Sequence, residues 1–109
     1  MEKLEINGKK FTIDRAGKKV SVLFNLKIDD LTILLDEDQI TQLVKMLKNP
    51  SSCDNPDVIE DDTHYIEICR EPQYVRLRFW WMNTKDVVLK LGDNERKQLI
   101  EILDKWWLI

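Results

Sequence analysis

The sequence predicts an α+β fold: a tandem repeat of two strand-hairpin-plus-helix units, about β3-4α each, with antiparallel sheet packed against two helices. Three observations predict it. Short stretches of alternating apolar residues are separated by turn residues, the mark of half-buried strands. Each half closes on a stretch with apolar residues at helical spacing. The chain also repeats itself: residues 10–27 fall on 65–82 without a gap, and after a slip of one residue 30–48 falls on 86–104. Phe11/Ile66, Ile13/Ile68, Arg15/Arg70, Val20/Val75, Val22/Leu77 and Phe24/Phe79 align in the first block, and Asp30/Asp86, Leu35/Leu91, Gln42/Gln98, Leu43/Leu99, Val44/Ile100 and Leu47/Leu103 in the second. Such internal periodicity marks a duplicated supersecondary unit.

The elements follow in order. In "KLEINGKKFTIDR" the dipeptide Asn7-Gly8 suits the type I′ turn of a two-residue hairpin. Ala16-Gly17 turns the chain into Lys19–Lys27, where Val20, Val22, Phe24 and Leu26 alternate. Asp29-Asp30 turns it into a short strand, Leu31–Leu35. Then "DEDQITQLVKMLKN" places Ile40, Leu43, Val44 and Leu47 on one helical face, with acids at its start and lysines at its end to match the helix dipole, and Pro50 beyond it. The second half reads as His64–Arg70, Tyr74–Met82, Val87–Leu91 and a helix from Asp93 or Asn94. Its counterpart of the first strand is reduced to Val58-Ile59, ahead of a run of acids. The chain thus reads as a single domain, 1–109, made of pseudo-repeats 1–49 and 58–109. The linker 50–57, with its prolines and acids, is expected to be solvated.

Composition narrows the function classes. Hydrophobic residues make up 43% of the chain and charged residues 34%, with a formal net charge of −3, as in a soluble globular domain. No apolar run approaches the roughly 18 residues of a membrane span. The start "MEKLEING" lacks the apolar core of a secretion signal, so the expected location is cytoplasmic. Cys53 and Cys69, with His64 the only histidine, fall short of the usual Cys/His set of a structural zinc site. The expectation is two reduced thiols, no metal and no cofactor. The acids Asp54, Asp57, Glu60, Asp61 and Asp62 lack the spacing and turn glycine of an EF-hand. The three glycines fall at turns, no phosphate loop is present, and no nucleophile–base pair stands out. The acidic starts of the two helices are accounted for by capping. The chain reads as a binder and not an enzyme.

One stretch stands apart. In "YVRLRFWWMN", Val75, Leu77, Phe79 and Trp81 form an ordinary core row, while Tyr74, Arg76, Arg78, Trp80 and Met82 share the opposite face. Core must face core across a hairpin, so Ile68 is expected opposite Leu77, Ile66 opposite Phe79, Tyr65 opposite Trp80, Glu67 opposite Arg78 and Cys69 opposite Arg76. A three-residue loop Asn83–Lys85 would next set Trp81 against Val87, Trp80 beside Val88 and Arg78 beside Lys90. Tyr65, Arg76, Arg78, Trp80 and Lys90 would then form a basic-aromatic platform. Such a platform grips single-stranded nucleic acid by stacking bases while cations follow phosphates. Equally, Tyr65–Trp80 and Glu67–Arg78 are cross-strand pairs that stabilise a sheet with no ligand. The matching face of the first half carries Lys10, Thr12, Ser21, Leu23, Asn25, Thr32 and Leu34, with Leu23 beside Leu34 as a small apolar patch.

The order of strands followed by a helix, twice, ending in "KDVVLKLGDNERKQLIEIL", resembles the Whirly and transcriptional-positive-cofactor group of single-stranded DNA-binding proteins. The resemblance lies in element order and carries no signature motif. It implies binding on a sheet surface through aromatic and basic side chains, a role that Tyr65, Arg76, Arg78, Trp80 and Lys90 would fill. A second reading is an inhibitor or immunity-type protein of a phage or mobile element. It would offer Asp29, Asp30, Asp36, Glu37 and Asp38, or the linker acids, to a basic protein partner. An apolar chain end frays unless it docks, so Trp106 and Trp107 in the terminal "WWLI" are expected to cap the chain's own core or else to form a dimer or partner surface; the third reading is a homodimer closed by this tail.

Overall fold

The computed structural model describes residues 2–6, 8–16, 23–28, 31–60, 64–81 and 85–105. Strands β1 (Glu2–Ile6), β2 (Lys9–Ala16), β3 (Leu23–Ile28) and β4 (Leu31–Asp36) lead into helix α1 (Glu37–Lys48). Strands β5 (Asp57–Glu60), β6 (His64–Arg70), β7 (Val75–Trp81) and β8 (Lys85–Leu91) lead into helix α2 (Asp93–Asp104). The fold is α+β as expected, with two separate four-stranded antiparallel sheets, ordered β1-β2-β3-β4 and β5-β6-β7-β8. The reduced first strand of the second half is a full member of its sheet, pairing from Asp57↔Ile68 to Glu60↔Tyr65.

Local chemistry explains the elements. Gly8, between β1 and β2, has φ 75°, which only glycine adopts without cost. Alternation buries Phe11, Ile13, Ile33 and Leu35 in the first sheet and Ile66, Ile68, Leu77, Phe79, Leu89 and Leu91 in the second. Asp36 caps α1: its Oδ1 accepts from the Gln39 backbone N–H at 2.8 Å, and the Asp36 N–H donates to Gln39 Oε1 at 3.0 Å. This reciprocal box satisfies two otherwise orphaned donors. Helix α2 starts at Gly92, which makes no side-chain cap bond.

The helices join the two units. α1 packs on β4 of its own unit and on β5 of the other; α2 packs on β8 and on β1. The helices also pack on each other. Ile40, Leu43, Val44 and Leu47 of α1, with Leu99 and Leu103 of α2, therefore belong to a single hydrophobic cluster with residues of both sheets. Arg96 of α2 donates from Nη1 to the Leu47 carbonyl at 3.0 Å, satisfying an orphan acceptor at the end of α1.

The repeat is real, but its alignment is not gapless. Phe11 pairs with Ile28, and its equivalent Ile66 pairs with Phe79. Phe79 thus corresponds to Ile28 and not to Phe24. The β2–β3 arm is four residues longer than the β6–β7 arm, while the β3–β4 arm, with Ile28↔Leu31 against Phe79↔Val87, is five residues shorter. The two differences nearly cancel, leaving the one-residue slip visible in the sequence. A shift of four also preserves alternation, so β3 looks correctly aligned at the wrong position. The β6–β7 register is as expected. The β7–β8 register is two residues from expectation: Phe79 faces Val87, Trp80 faces Asp86, Arg78 faces Val88 and Arg76 faces Lys90. Leu34 faces Asn25, and Leu23 faces Asp36, so the expected Leu23–Leu34 neighbours are diagonal.

The expectation of two free thiols is overturned. Cys53 and Cys69 form a disulfide with their Cα atoms 4.8 Å apart. The segment 50–57 is correspondingly not a solvated linker throughout. Pro50 is buried, the Arg70 N–H donates to the Ser51 carbonyl at 2.7 Å, and the Ser51 N–H donates to Asp57 Oδ2 at 3.2 Å. Proximity of the cysteines comes from this docking against the end of β6, which their spacing in sequence does not reveal. The pairing also removes the reduced-thiol support for a cytoplasmic location. Among the described residues no helix is long and apolar enough to cross a membrane.

Two predictions follow from this architecture. The Asp36→Ala variant should lose about 1 kcal/mol of unfolding free energy through its lost cap, measured by urea denaturation. Reducing the disulfide, which closes a loop with a sequence separation of 16, should lower stability by about 3 kcal/mol in the same assay.

Candidate functional site

The outer face of the second sheet is built by alternation from β5 to β8. Its first row is Glu60, Tyr65, Trp80 and Asp86; its second is Val58, Glu67, Arg78 and Val88; its third is Cys69, Arg76 and Lys90. The five side chains expected as a platform, Tyr65, Arg76, Arg78, Trp80 and Lys90, therefore share one face. Arg78 and Trp80 are half-buried and not fully exposed, and Glu67 is only 8% exposed.

A hydrogen-bonded network runs across this face. Tyr65 Oη donates to Glu67 Oε2 at 2.8 Å. Arg76 donates from Nη2 to Glu67 Oε1 at 3.0 Å and from Nη1 to Glu71 Oε1 at 3.2 Å. The carboxylate of Glu67 is thus bonded by the diagonal Arg76, with Arg78 directly opposite it in register. A buried carboxylate is tolerable only when paired in this way. Arg76 in turn faces two carboxylates, so little of its charge is left for a phosphate. The Tyr65 and Trp80 rings meet edge to face, with centroids 6.2 Å apart and planes at 88°. Together with Arg78 they line a shallow cleft of about 230 Å³. Lys90 lies over the Tyr74 ring, 5.3 Å from its centroid.

Apolar side chains flank this network. Val58 and Val88, at the two ends of the second row, are each 39% exposed. With Leu34 at 41% on the other sheet, they are the exposed large hydrophobics among the described residues. Both valines are legible as outward-facing once parity is assigned. Glu71 as a second anchor for Arg76 has no signal in the sequence, because it lies in the turn after β6.

The other candidate residues are dispersed. Asp36, Glu37 and Asp38 sit at the start of α1, where Asp36 is the cap and the next two lie in the first turn. Asp29, Asp30, Trp106 and Trp107 lie outside the described residues. On the first sheet's outer face, Thr12, Thr32 and Leu34 carry neither a ring nor a charge. Among the described residues, the metal-ligating side chains that converge are Cys53, Cys69 and Glu71.

Tyr65 reports on the network. Burial, then its hydrogen bond to Glu67 and that carboxylate's charge, raise its pKa above 10.0, with Arg78 pulling the other way. The folded state therefore favours the neutral phenol. Its contribution to stability is complete below pH 10.0 and is lost as pH rises through the higher folded value. Phenolate absorbance titration should show a late-ionising tyrosine that disappears in Tyr65→Phe and moves to lower pH in Glu67→Gln. Comparison of the chain with protein-family models, with curated proteins and with solved structures found no match.

Proposed function

We propose that the chain is a non-enzymatic binding module that engages a basic protein partner through the outer face of the second sheet. The observation that carries this reading is the row Val58–Glu67–Arg78–Val88, beside Tyr65 and Trp80. It has exposed valines at both ends, half-buried rings, and a glutamate whose charge is already satisfied within the face. Aromatic and arginine side chains with apolar neighbours are the composition of interface centres, where desolvation of unpaired charge must be avoided. Asp54, Asp57 and Glu60 lie on and before the neighbouring edge strand and, with the net charge of −3, would steer a basic partner toward the face.

A second reading keeps a specific observation in its favour: the cleft between Tyr65, Arg78 and Trp80 has the ring and cation of a base-stacking site. It is the reading implied by the resemblance to single-stranded DNA-binding proteins. The clamping of Arg76 by Glu67 and Glu71 weighs against it, because phosphate tracking needs cations without local counter-charges.

One pair of measurements separates the readings. Single-stranded DNA of mixed sequence, titrated at about 50 mM and about 300 mM salt, should leave tryptophan fluorescence unchanged. Proximity labelling in the source cells should recover a basic protein with the wild type and with Leu34→Asp, and lose it with Val58→Asp/Val88→Asp. Salt-weakened quenching by DNA that vanishes in Arg78→Ala/Trp80→Ala would instead establish the nucleic-acid reading. A partner retained by the double valine variant would remove the face from the interface.

A further inference from the structure

We propose that Cys53, Cys69 and Glu71 form a binding site for a thiophilic divalent cation, zinc in the first instance, which is present only when the disulfide is reduced. The proposal is independent of the function proposed above.

Counting cysteines and histidine, as for a structural zinc site, leaves this cluster out, because its third ligand is a carboxylate supplied by the turn after β6. In the structure the two sulfurs and a Glu71 carboxylate oxygen all lie within 4.8 Å of one another. A tetrahedral zinc with bonds of about 2.3 Å to sulfur and about 2.0 Å to oxygen needs its ligand atoms roughly 3.5–3.8 Å apart, so the bonded sulfurs must move apart on reduction while the carboxylate is already within reach. The three residues come from different parts of the chain. Cys53 lies in the segment between α1 and β5, Cys69 is in β6 and Glu71 follows β6, and backbone bonding of Ser51 to Arg70 holds the first against the other two.

The surroundings suit a metal. Glu71 Oε1 accepts from Arg76 Nη1 at 3.2 Å, which orients the carboxylate as an outer-shell donor does for a metal ligand. Two thiolates and one carboxylate against zinc leave one negative charge, beside the Arg76 guanidinium, which Glu67 also shares. Access is open, because Cys53 and Glu71 line a cleft of about 600 Å³ with Pro50, Ser52, Asp54 and Arg70. A solvent molecule entering from that cleft would complete four-coordination, the arrangement in which three protein ligands hold zinc.

Disulfide and metal exclude one another, since a bonded pair of sulfurs cannot both act as thiolate ligands. Reduction by a dithiol transfers two electrons. The Cys53–Cys69 bond breaks, the reductant closes its own disulfide, and its two protons pass to the cysteine sulfurs. Zinc then displaces those protons to solvent as the two zinc–sulfur bonds form. The same covalent staple is thereby exchanged for a coordinate one, and segment 50–57 stays attached to β6 in either state.

The test uses the full chain, reduced with a phosphine that does not compete for zinc, and titrated with zinc against a chromophoric chelator. The expected result is equimolar zinc on the reduced chain and none on the oxidised chain. Cys53→Ser should abolish uptake. Glu71→Gln, which keeps both cysteines and an acceptor for Arg76, should weaken it by at least about tenfold. Cobalt(II) in place of zinc should give a thiolate-to-cobalt charge-transfer band in the reduced wild type. Circular dichroism reports whether each reduced chain is folded. The proposal is overturned if the reduced wild type takes up no zinc, if Glu71→Gln binds as tightly as the wild type, or if reduction unfolds the chain and zinc does not restore it.

Discussion

The structure depends on an exchange of cover between its two units. Each four-stranded sheet has one apolar face, and a single helix of twelve residues does not cover it. α1 lies over β4 and reaches β5, while α2 lies over β8 and reaches β1, so each unit completes the core of the other. Magnitudes identify what holds the units together. Burying a leucine or isoleucine contributes about 1.5–3 kcal/mol, and Ile40, Leu43, Leu47, Leu99 and Leu103 are all fully buried. The solvent-exposed Lys48–Asp104 pair between the helices, at 3.5 Å, contributes at most about 1 kcal/mol. Cohesion is therefore hydrophobic, and the polar contacts between helices, such as Arg96 on the Leu47 carbonyl, set their geometry.

With both inner faces committed to this core, the outer faces remain at the surface, and the two differ. On the first sheet, Thr12, Lys27 and Thr32 stand in one paired row, an ordinary solvated surface. On the second, a buried carboxylate, Glu67, organises the neighbouring side chains. Tyr65 and Arg76 bond it, Glu71 takes the other side of Arg76, and Trp80 packs against Tyr65. A network of this kind holds its rotamers before any partner arrives, which reduces the entropic cost of binding. It also spends its charges internally, so recognition by this face would come from shape and apolar contact more than from net positive potential.

The docking of segment 50–57 matters to the same face. Cys69 stands in the third row of the second sheet, beside Arg76, and its bond to Cys53 covers that end of the face. Val58, Val88 and Lys90 are among the exposed side chains of the face. The connection between the units is thus part of the surface, with a shape determined by Pro50, by Ser51 bonded to Arg70, and by the disulfide.

The amino-acid sequence by itself determined the element order, the duplication, the alternation of core and outer residues along β2, β4, β6, β7 and β8 where burial is described, and the β6–β7 register that joins Tyr65 to Trp80. These are local properties: alternation has a period of two, helices have a period near 3.6, and caps and turns are written in neighbouring residues. Only the tertiary structure decided the rest. The lengths of the hairpin arms escaped because an even shift leaves alternation intact, as in the displaced β3 and β7–β8 registers. The Cys53–Cys69 bond, the approach of Glu71 to Arg76, and the division into two sheets with exchanged helices join residues whose proximity no period encodes. They follow from how two apolar faces find enough cover, and that is settled only when the whole chain is packed.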